Sequence, residues 1–360
     1  ALGRCAEALG ALSDALATAH AAGFRAVVMR ARLQQARCEL SAGEPDSALA
    51  HLHLAQQVWE ELRTVPRDPR WREQRGALGG EIHLELARLL ALHPPASPPG
   101  ERARAAFDIL QRYKARTLRE RLLGPDAFAA GLAGAPPPVT LARLQAEVLR
   151  EGDLLLDCYL GEEGSLLLAA TRDTCAVVAL PPRRALAERS ALYHELAAAP
   201  PAGTAGAPAR DAAAARLDRE LLGPVAGLVG ASQRVILAPD GPLNLLPLEQ
   251  LPSLAGREAF RVPSATLLAV LAAAEAPSNA GAPAPPTGLL VLTGRELPEE
   301  LRLPGAEAEV RWLRRSFRRV RVAAGIPAAW GAGSDTARAL DALAALAAGR
   351  EVLHVAAHAE

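Results

Sequence analysis

Apolar residues in the first third of the chain recur three and four positions apart, which is the spacing of one buried helix face. This pattern predicts helices at residues 6–21, 27–40, 47–62, 76–92 and 101–123. A turn at residues 43–46 separates the second helix from the third, and Asp46 stands where an N-cap is favoured. We therefore expect residues 1–123 to form a helical region.

Two of these helices share a face on which small residues flank a large one. The pattern occurs at Ala8, Leu12 and Ala15 and again at Ala48, Leu52 and Ala55. Such faces let helices approach closely, so the region resembles tetratricopeptide (TPR) repeats with longer helices than usual. The TPR-like interpretation implies a concave surface for a protein or peptide partner. The alternative is a simple α-helical domain without a binding groove.

The periodicity changes after a stretch rich in Gly, Ala and Pro at residues 124–138, which we interpret as a linker. Short apolar runs at residues 153–160, 165–171 and 174–180 are separated by tight turns and predict an antiparallel start to a sheet. Further strands are predicted at residues 234–238, 288–293, 320–323 and 351–358. They alternate with predicted helices at about 183–198, 211–222, 264–274, 305–317 and 335–348, and Ser264 is the expected cap of the third of these helices. This alternation is typical of a parallel sheet covered on both faces.

Composition narrows the possible partners and the compartment. Forty basic and forty acidic residues leave no formal net charge, so neither nucleic acid nor an anionic membrane is an expected partner. No apolar run is long enough to span a bilayer. The four cysteines, at 5, 38, 158 and 175, show no C-x-x-C spacing, which argues against a disulfide framework or a zinc ribbon and indicates a reducing cytoplasm.

The chain lacks an initiator methionine and stops directly after a strand, so we expect it to be truncated at both ends.

Five segments, taken in order, resemble one known family. They are AAFDILQRYKARTL at 105–118, VILAPDGPLNLLPLE at 235–249, PSAT at 263–266, LPGAEAE at 303–309 and LHVAAH at 353–358. Together they are similar to the CHAT family, caspase-like cysteine protease domains that usually follow TPR repeats. The resemblance implies α-helical TPR-like repeats followed by an α/β caspase-like (CHAT) domain over residues 139–360, incomplete at its C-terminus.

The same resemblance implies a catalytic site for peptide-bond hydrolysis. His358 aligns with the histidine of the caspase-type His/Cys pair, which takes the proton of the thiol or stabilises the thiolate. The backbone N–H of Ala359, where the family pattern more often has Gly, would help to hold the oxyanion. His354 would support His358. The nucleophilic cysteine would lie on a later strand beyond residue 360, since none of the four cysteines stands in the matching place.

Other interpretations of these residues remain open. The H-x-x-x-H spacing of His354 and His358 would suit a metal hydrolase, but it lacks a third ligand and the Glu of H-E-x-x-H. We therefore expect no metal and no cofactor. A non-catalytic scaffold, with repeats and a protease-like domain, is the main alternative to an enzyme. We interpret Asp240 as part of a structural turn, and the arginine-rich run at 311–321 as a solvated helix face.

Overall fold

A computed structural model describes residues 5–64, 69–92, 97–114, 116, 137–198, 206–275, 288–293, 306–317, 319–324 and 352–356. The chain divides into two compact units, residues 1–276 and residues 277–360. No helix in the described ranges is long and apolar enough to cross a membrane. The predicted linker at 124–138 lies outside these ranges except for its last two residues.

Long helices form the described N-terminal region, as the apolar spacing predicts. They are α1 (Cys5–Ala21), α2 (Arg25–Ala42), α3 (Pro45–Thr64), α4 (Pro69–Leu92) and α5 (Pro99–Tyr113). Each of them packs against the next one along the chain. Gly43 ends α2 with a φ of 84°, a left-handed conformation that glycine adopts at little cost. Because α3 begins at Pro45, Asp46 lies inside its first turn and does not cap it.

The two predicted small-residue faces have different outcomes. The face on α3 has no exposed surface at Ala48, Leu52 and Ala55. On α1 the prediction holds for Leu12, which packs against the buried Leu16 and Ala19, and fails for Ala15, which is exposed. The buried stripe of α1 is thus rotated slightly from the predicted face toward Leu16. The two faces differ in burial, and the structure does not establish TPR repeats.

The described strands of the first unit form a mixed sheet. They are β1 (Asp153–Tyr159), β2 (Ser165–Ala170), β3 (Cys175–Leu180), β4 (Arg234–Ala238) and β5 (Glu258–Arg261), in the order β3-β2-β1-β4-β5. The antiparallel pairing of β1, β2 and β3 confirms the predicted start of the sheet. β4 pairs parallel to β1 and β5 parallel to β4, so only this half is parallel as expected. β5 was not predicted, because its four residues are exposed or half-buried and leave little apolar signal.

Helices cover both faces of this sheet. Those after residue 140 are α6 (Leu141–Arg143), α7 (Arg183–Ala198), α8 (Gly206–Leu221), α9 (Ala226–Ala231) and α10 (Ala265–Glu275). β1 is buried at every position, and its side chains alternate between two hydrophobic clusters. Leu155 and Tyr159 pack with residues of α2–α5 and α10, whereas Leu154 and Cys158 pack with residues of α7–α9. The core of the helical region is thus continuous with one face of the sheet.

A group of three rings joins α3, α4 and α5. The ring of His83 lies edge-on to Trp59, with centroids 4.9 Å apart, and stacks on Tyr113 at 5.6 Å. Gly79 permits this approach, since a Cβ there would lie 2.1 Å from Nε1 of Trp59. Nδ1 of His83 donates to the carbonyl oxygen of Gly79 over 2.7 Å, and Nε2 lies 3.3 Å from the side-chain amide nitrogen of Gln56. Burial lowers the pKa of His83 from 6.5 to about 4, so the ring is neutral at pH 7.

The described strands of the second unit form a parallel sheet. They are β6 (Gly288–Thr293), β7 (Arg319–Ala324) and β8 (Val352–Ala356), in the order β7-β6-β8. All three were predicted, and β6 has the predicted bounds. The predicted helix at 335–348 lies outside the described residues.

The helix α11 (Ala306–Ser316) lies between β6 and β7 in the sequence and is strongly amphipathic. Its Leu313 is buried and packs with Val310, Phe317 and residues of β7. Arg311 and Arg314 are exposed. The arginine-rich run is therefore a solvated helix face over its part in α11, whereas Arg319 and Arg321 are exposed residues of the strand β7.

The neutral His83 makes the stability of the native state sensitive to acid. The unfolded chain binds a proton on this residue near pH 6.5, whereas the native state resists protonation until about pH 4. Stability therefore falls as the pH falls through this window, by about 3 kcal/mol in total. Urea titrations between pH 7 and pH 4 measure this slope. His83→Gln should flatten it, whereas the same change at the exposed His53 should not; an equal slope in native protein and His83→Gln would contradict the assignment.

Candidate functional site

The strand that carries the candidate histidines is β8, and it pairs parallel with β6. His354 lies opposite Val291, and Ala356 lies opposite Thr293, the last residue of β6. His354 therefore belongs to the body of the strand and not to its carboxyl end. His358 and Ala359, the predicted catalytic and oxyanion residues, lie outside the described residues.

Three of the described cysteines, Cys38, Cys158 and Cys175, lack the activated thiol that a catalytic nucleophile needs. Burial raises the pKa of Cys158 and that of Cys175 to about 12. Burial and the neighbouring Cys5 and Glu39 also raise the pKa of Cys38. A catalytic thiol needs the opposite shift, because the thiolate is the nucleophile. None of these cysteines lies on the described strands β6, β7 or β8.

The metal interpretation finds no additional ligands in the described part of the chain. Within those residues no group of three or more His, Cys, Asp or Glu side chains is arranged to hold a metal ion. His358, the second histidine of the H-x-x-x-H pair, lies outside that part.

Three of the family-like segments meet in one buried polar cluster in the first unit. Its centre is Lys114, which directly follows α5 and whose side chain is 9% exposed. The ε-ammonium group lies 2.5 Å from Oδ1 of Asp157, 2.9 Å from the carbonyl oxygen of Cys158 and 2.7 Å from that of Ala238. An ammonium group has three N–H donors, and here each has an acceptor. Since Asp157 and Ala238 are direct neighbours across β1 and β4, Lys114 joins the carboxyl ends of these two strands.

Gln111 extends the cluster from α5 to α10. Its amide nitrogen donates to Oδ2 of Asp157 over 2.7 Å and lies 2.8 Å from the hydroxyl oxygen of Tyr159. Its amide oxygen accepts from the backbone N–H and the hydroxyl of Thr266, each over 3.2 Å. Thr266 is the last residue of the P-S-A-T segment, and Ser264 caps the following helix by accepting from the N–H of Leu267. The predicted cap at Ser264 is thus confirmed.

A hydrogen bond of Asp240 and an ion pair of Glu249 fix the P-D-G segment in the fold. The carboxylate of Asp240 accepts from the backbone N–H of Leu160 over 2.8 Å, which fixes the turn after β4 to the end of β1. Glu249, at the end of the same segment, forms an ion pair with Arg261 of β5. Arg261 lowers the pKa of Glu249 through this pair. These contacts favour the structural interpretation of Asp240.

The geometry of this cluster suits support and not catalysis. Asp157 and Gln111 have no exposed surface, and each makes several of the hydrogen bonds just described. No reactive atom of the cluster is left open to a substrate among the described residues. Sequence reasoning missed Lys114 as the centre, although one signal was available. The 40 basic residues of the chain include a single lysine, which stands where three separate oxygens need a compact cation.

Replacing Lys114 tests this role. Lys114→Met leaves the carboxylate of Asp157 buried without its cation, so we expect a loss of about 3–5 kcal/mol in the free energy of unfolding. Lys114→Arg keeps the charge, but a planar guanidinium group does not direct donors to the same three oxygens, so it should lose at least half as much. Urea denaturation measures both. The matched control is Arg184→Lys at a 91% exposed side chain, which should change stability by less than about 0.5 kcal/mol. Full stability of Lys114→Arg would show that charge alone is required.

Comparison with known proteins identifies the domain. Residues 211–360 match the family model of the CHAT domain. The match begins within α8 and contains four of the five segments on which the resemblance was based; the K-A-R segment at 105–118 precedes it. A comparison with curated proteins gives no match. Residues 211–360 of this chain, which are fewer than half of its residues, are therefore similar to the CHAT domain family.

Proposed function

We propose that this chain carries the histidine-bearing part of a caspase-like cysteine endopeptidase. In this proposal His358 takes the proton of a cysteine thiol or stabilises the thiolate, which attacks the carbonyl carbon of a peptide bond. The backbone N–H of Ala359 donates to the oxyanion that forms. His354 supports His358 from within the strand. The nucleophilic cysteine lies on a segment after residue 360.

The observation that carries the proposal is the pairing of β8. This strand is parallel to β6, and its last residue, Ala356, is level with Thr293 at the end of β6. In parallel sheets the carboxyl ends of the strands are where ligands bind and where catalytic side chains are placed. His358 follows Ala356 by two residues in the sequence, which supports a position at this edge. The match to the CHAT family supports the same assignment.

The helical region is proposed to bind a protein partner or a substrate. Its support is a cavity of about 520 Å³ lined by residues of α1, α2 and α4, a volume within the range of ligand pockets.

The alternative is a non-catalytic scaffold, in which the helical region and a protease-like domain only bind partners. The pKa values of the thiols of Cys38, Cys158 and Cys175 are raised, so these three residues are poor nucleophiles. This observation favours the non-catalytic scaffold. The unpaired cysteines favour a cytoplasmic location.

Thiol reactivity in the full-length protein distinguishes an enzyme from a scaffold. We expect one cysteine after residue 360 to react with iodoacetamide at pH 6, because a neighbouring imidazole lowers the pKa of a thiol. His358→Ala should restore an ordinary pKa near 8.5 and slow the reaction at pH 6 by roughly tenfold or more. Alkylation rates of each cysteine, measured by mass spectrometry from pH 5 to pH 9, give these values.

His53→Ala, at an exposed position on α3, is the matched control and should leave every rate unchanged. A complete domain in which no cysteine reacts at pH 6 would support the scaffold. A reactive cysteine whose rate is the same in His358→Ala would contradict the role of His358.

A further inference from the structure

Two cysteines that are far apart in the sequence line the same cavity. Cys5 is the first residue of α1, and Cys38 belongs to α2. Both are half-buried and unpaired, and both contribute to the wall of the cavity of about 520 Å³ in the helical region. Each thiol is therefore accessible from the same open space.

The packing of α1 against α2 brings these two thiols together. The helices form a hairpin around the turn at residues 22–24, and the side chain of Gln35 donates to the hydroxyl of Ser13 over 3.4 Å. In an antiparallel pair this register sets the beginning of α1 beside the end of α2. Cys5 and Cys38 accordingly line one cavity from neighbouring helices, and, after burial, Cys5 is the group that most raises the pKa of Cys38.

The other two cysteines have no such partner. Cys158 belongs to the cluster on the face of the sheet covered by α7–α9. Cys175 packs against the cluster on the opposite face. A disulfide between them would have to cross the sheet, which the short reach of a disulfide does not allow.

The buried apolar cluster that α1 shares with α2 is small. The buried apolar side chains of α1, Leu16 and Ala19, form a separate cluster with Val28 and Ala31 of α2. A covalent bond near the beginning of α1 would therefore add a second attachment to a helix whose described apolar contacts are few. It would also fix one wall of the cavity.

We propose that Cys5 and Cys38 are a redox pair that forms a reversible disulfide between α1 and α2. With oxidised glutathione as the oxidant, one thiolate attacks a glutathione sulfur, forms a mixed disulfide and releases one reduced glutathione. The second cysteine then attacks the sulfur of the first cysteine in this mixed disulfide and releases a second reduced glutathione. The two cysteines lose two protons and two electrons, and one glutathione disulfide takes them up. In a reducing compartment the pair rests as two thiols.

Peptide mapping of the native protein tests the proposal without any variant. After equilibration with oxidised glutathione, we expect a loss of two hydrogens in mass and a peptide that links Cys5 to Cys38, both reversed by dithiothreitol. Oxidation should raise the Tm by about 5 °C, since the bond closes a long loop in the unfolded chain. Amide hydrogen exchange in α1 should slow at the same time.

Matched serine variants assign the bond. Cys5→Ser and Cys38→Ser should each abolish the mass loss and the rise in Tm, whereas Cys175→Ser should keep both. Stable glutathione adducts on the two thiols, or a dominant bond between any other cysteines, would overturn the proposal.

Discussion

The three hydrogen bonds of the Lys114 ammonium group are the constraint on which the first unit depends. A buried cation is stable only when its charge is paired and its donors are satisfied. Lys114 meets this condition because Ala238, the last residue of β4, lies opposite Asp157 of β1. A change of register by one residue would move the carbonyl of Ala238 away from the carboxylate of Asp157. The lysine therefore stabilises one alignment of the two central strands against its alternatives.

This cluster explains why family-like segments that are distant in the sequence occur together. The K-A-R segment supplies Lys114, the P-D-G segment supplies Ala238, and the P-S-A-T segment supplies Thr266. Gln111 binds Asp157 and Thr266 with the two ends of one amide group. The helical region and the sheet are consequently one packed body within residues 1–276, joined by polar bonds as well as by a shared apolar core. These segments identify the family through its architecture rather than through its reaction.

Elements with a strong local pattern were predictable, and features that depend on distant contacts were not. The helix α7 has the predicted bounds, and so has β6, because apolar spacing and turn residues determine both. The strand β5 escaped prediction because its burial is low, and its place is set by pairing with β4. Ala15 was wrongly expected to be buried because packing against α2 rotates the buried stripe of α1 toward Leu16. At the site, β8 was predicted from its apolar run, but the cluster around Lys114 and the shared cavity of Cys5 and Cys38 arise only from tertiary packing.

The central claim is that His358 belongs to a His/Cys pair at the carboxyl end of β8. The most direct measurement is the distance from the imidazole of His358 to the nearest cysteine sulfur in an experimental structure of the full-length protein. The account predicts one cysteine, from a strand after residue 360, with its sulfur roughly 3–4 Å from a ring nitrogen of His358. A complete domain in which the nearest cysteine sulfur is roughly 8 Å away or farther would contradict the claim, since proton transfer requires hydrogen-bond reach.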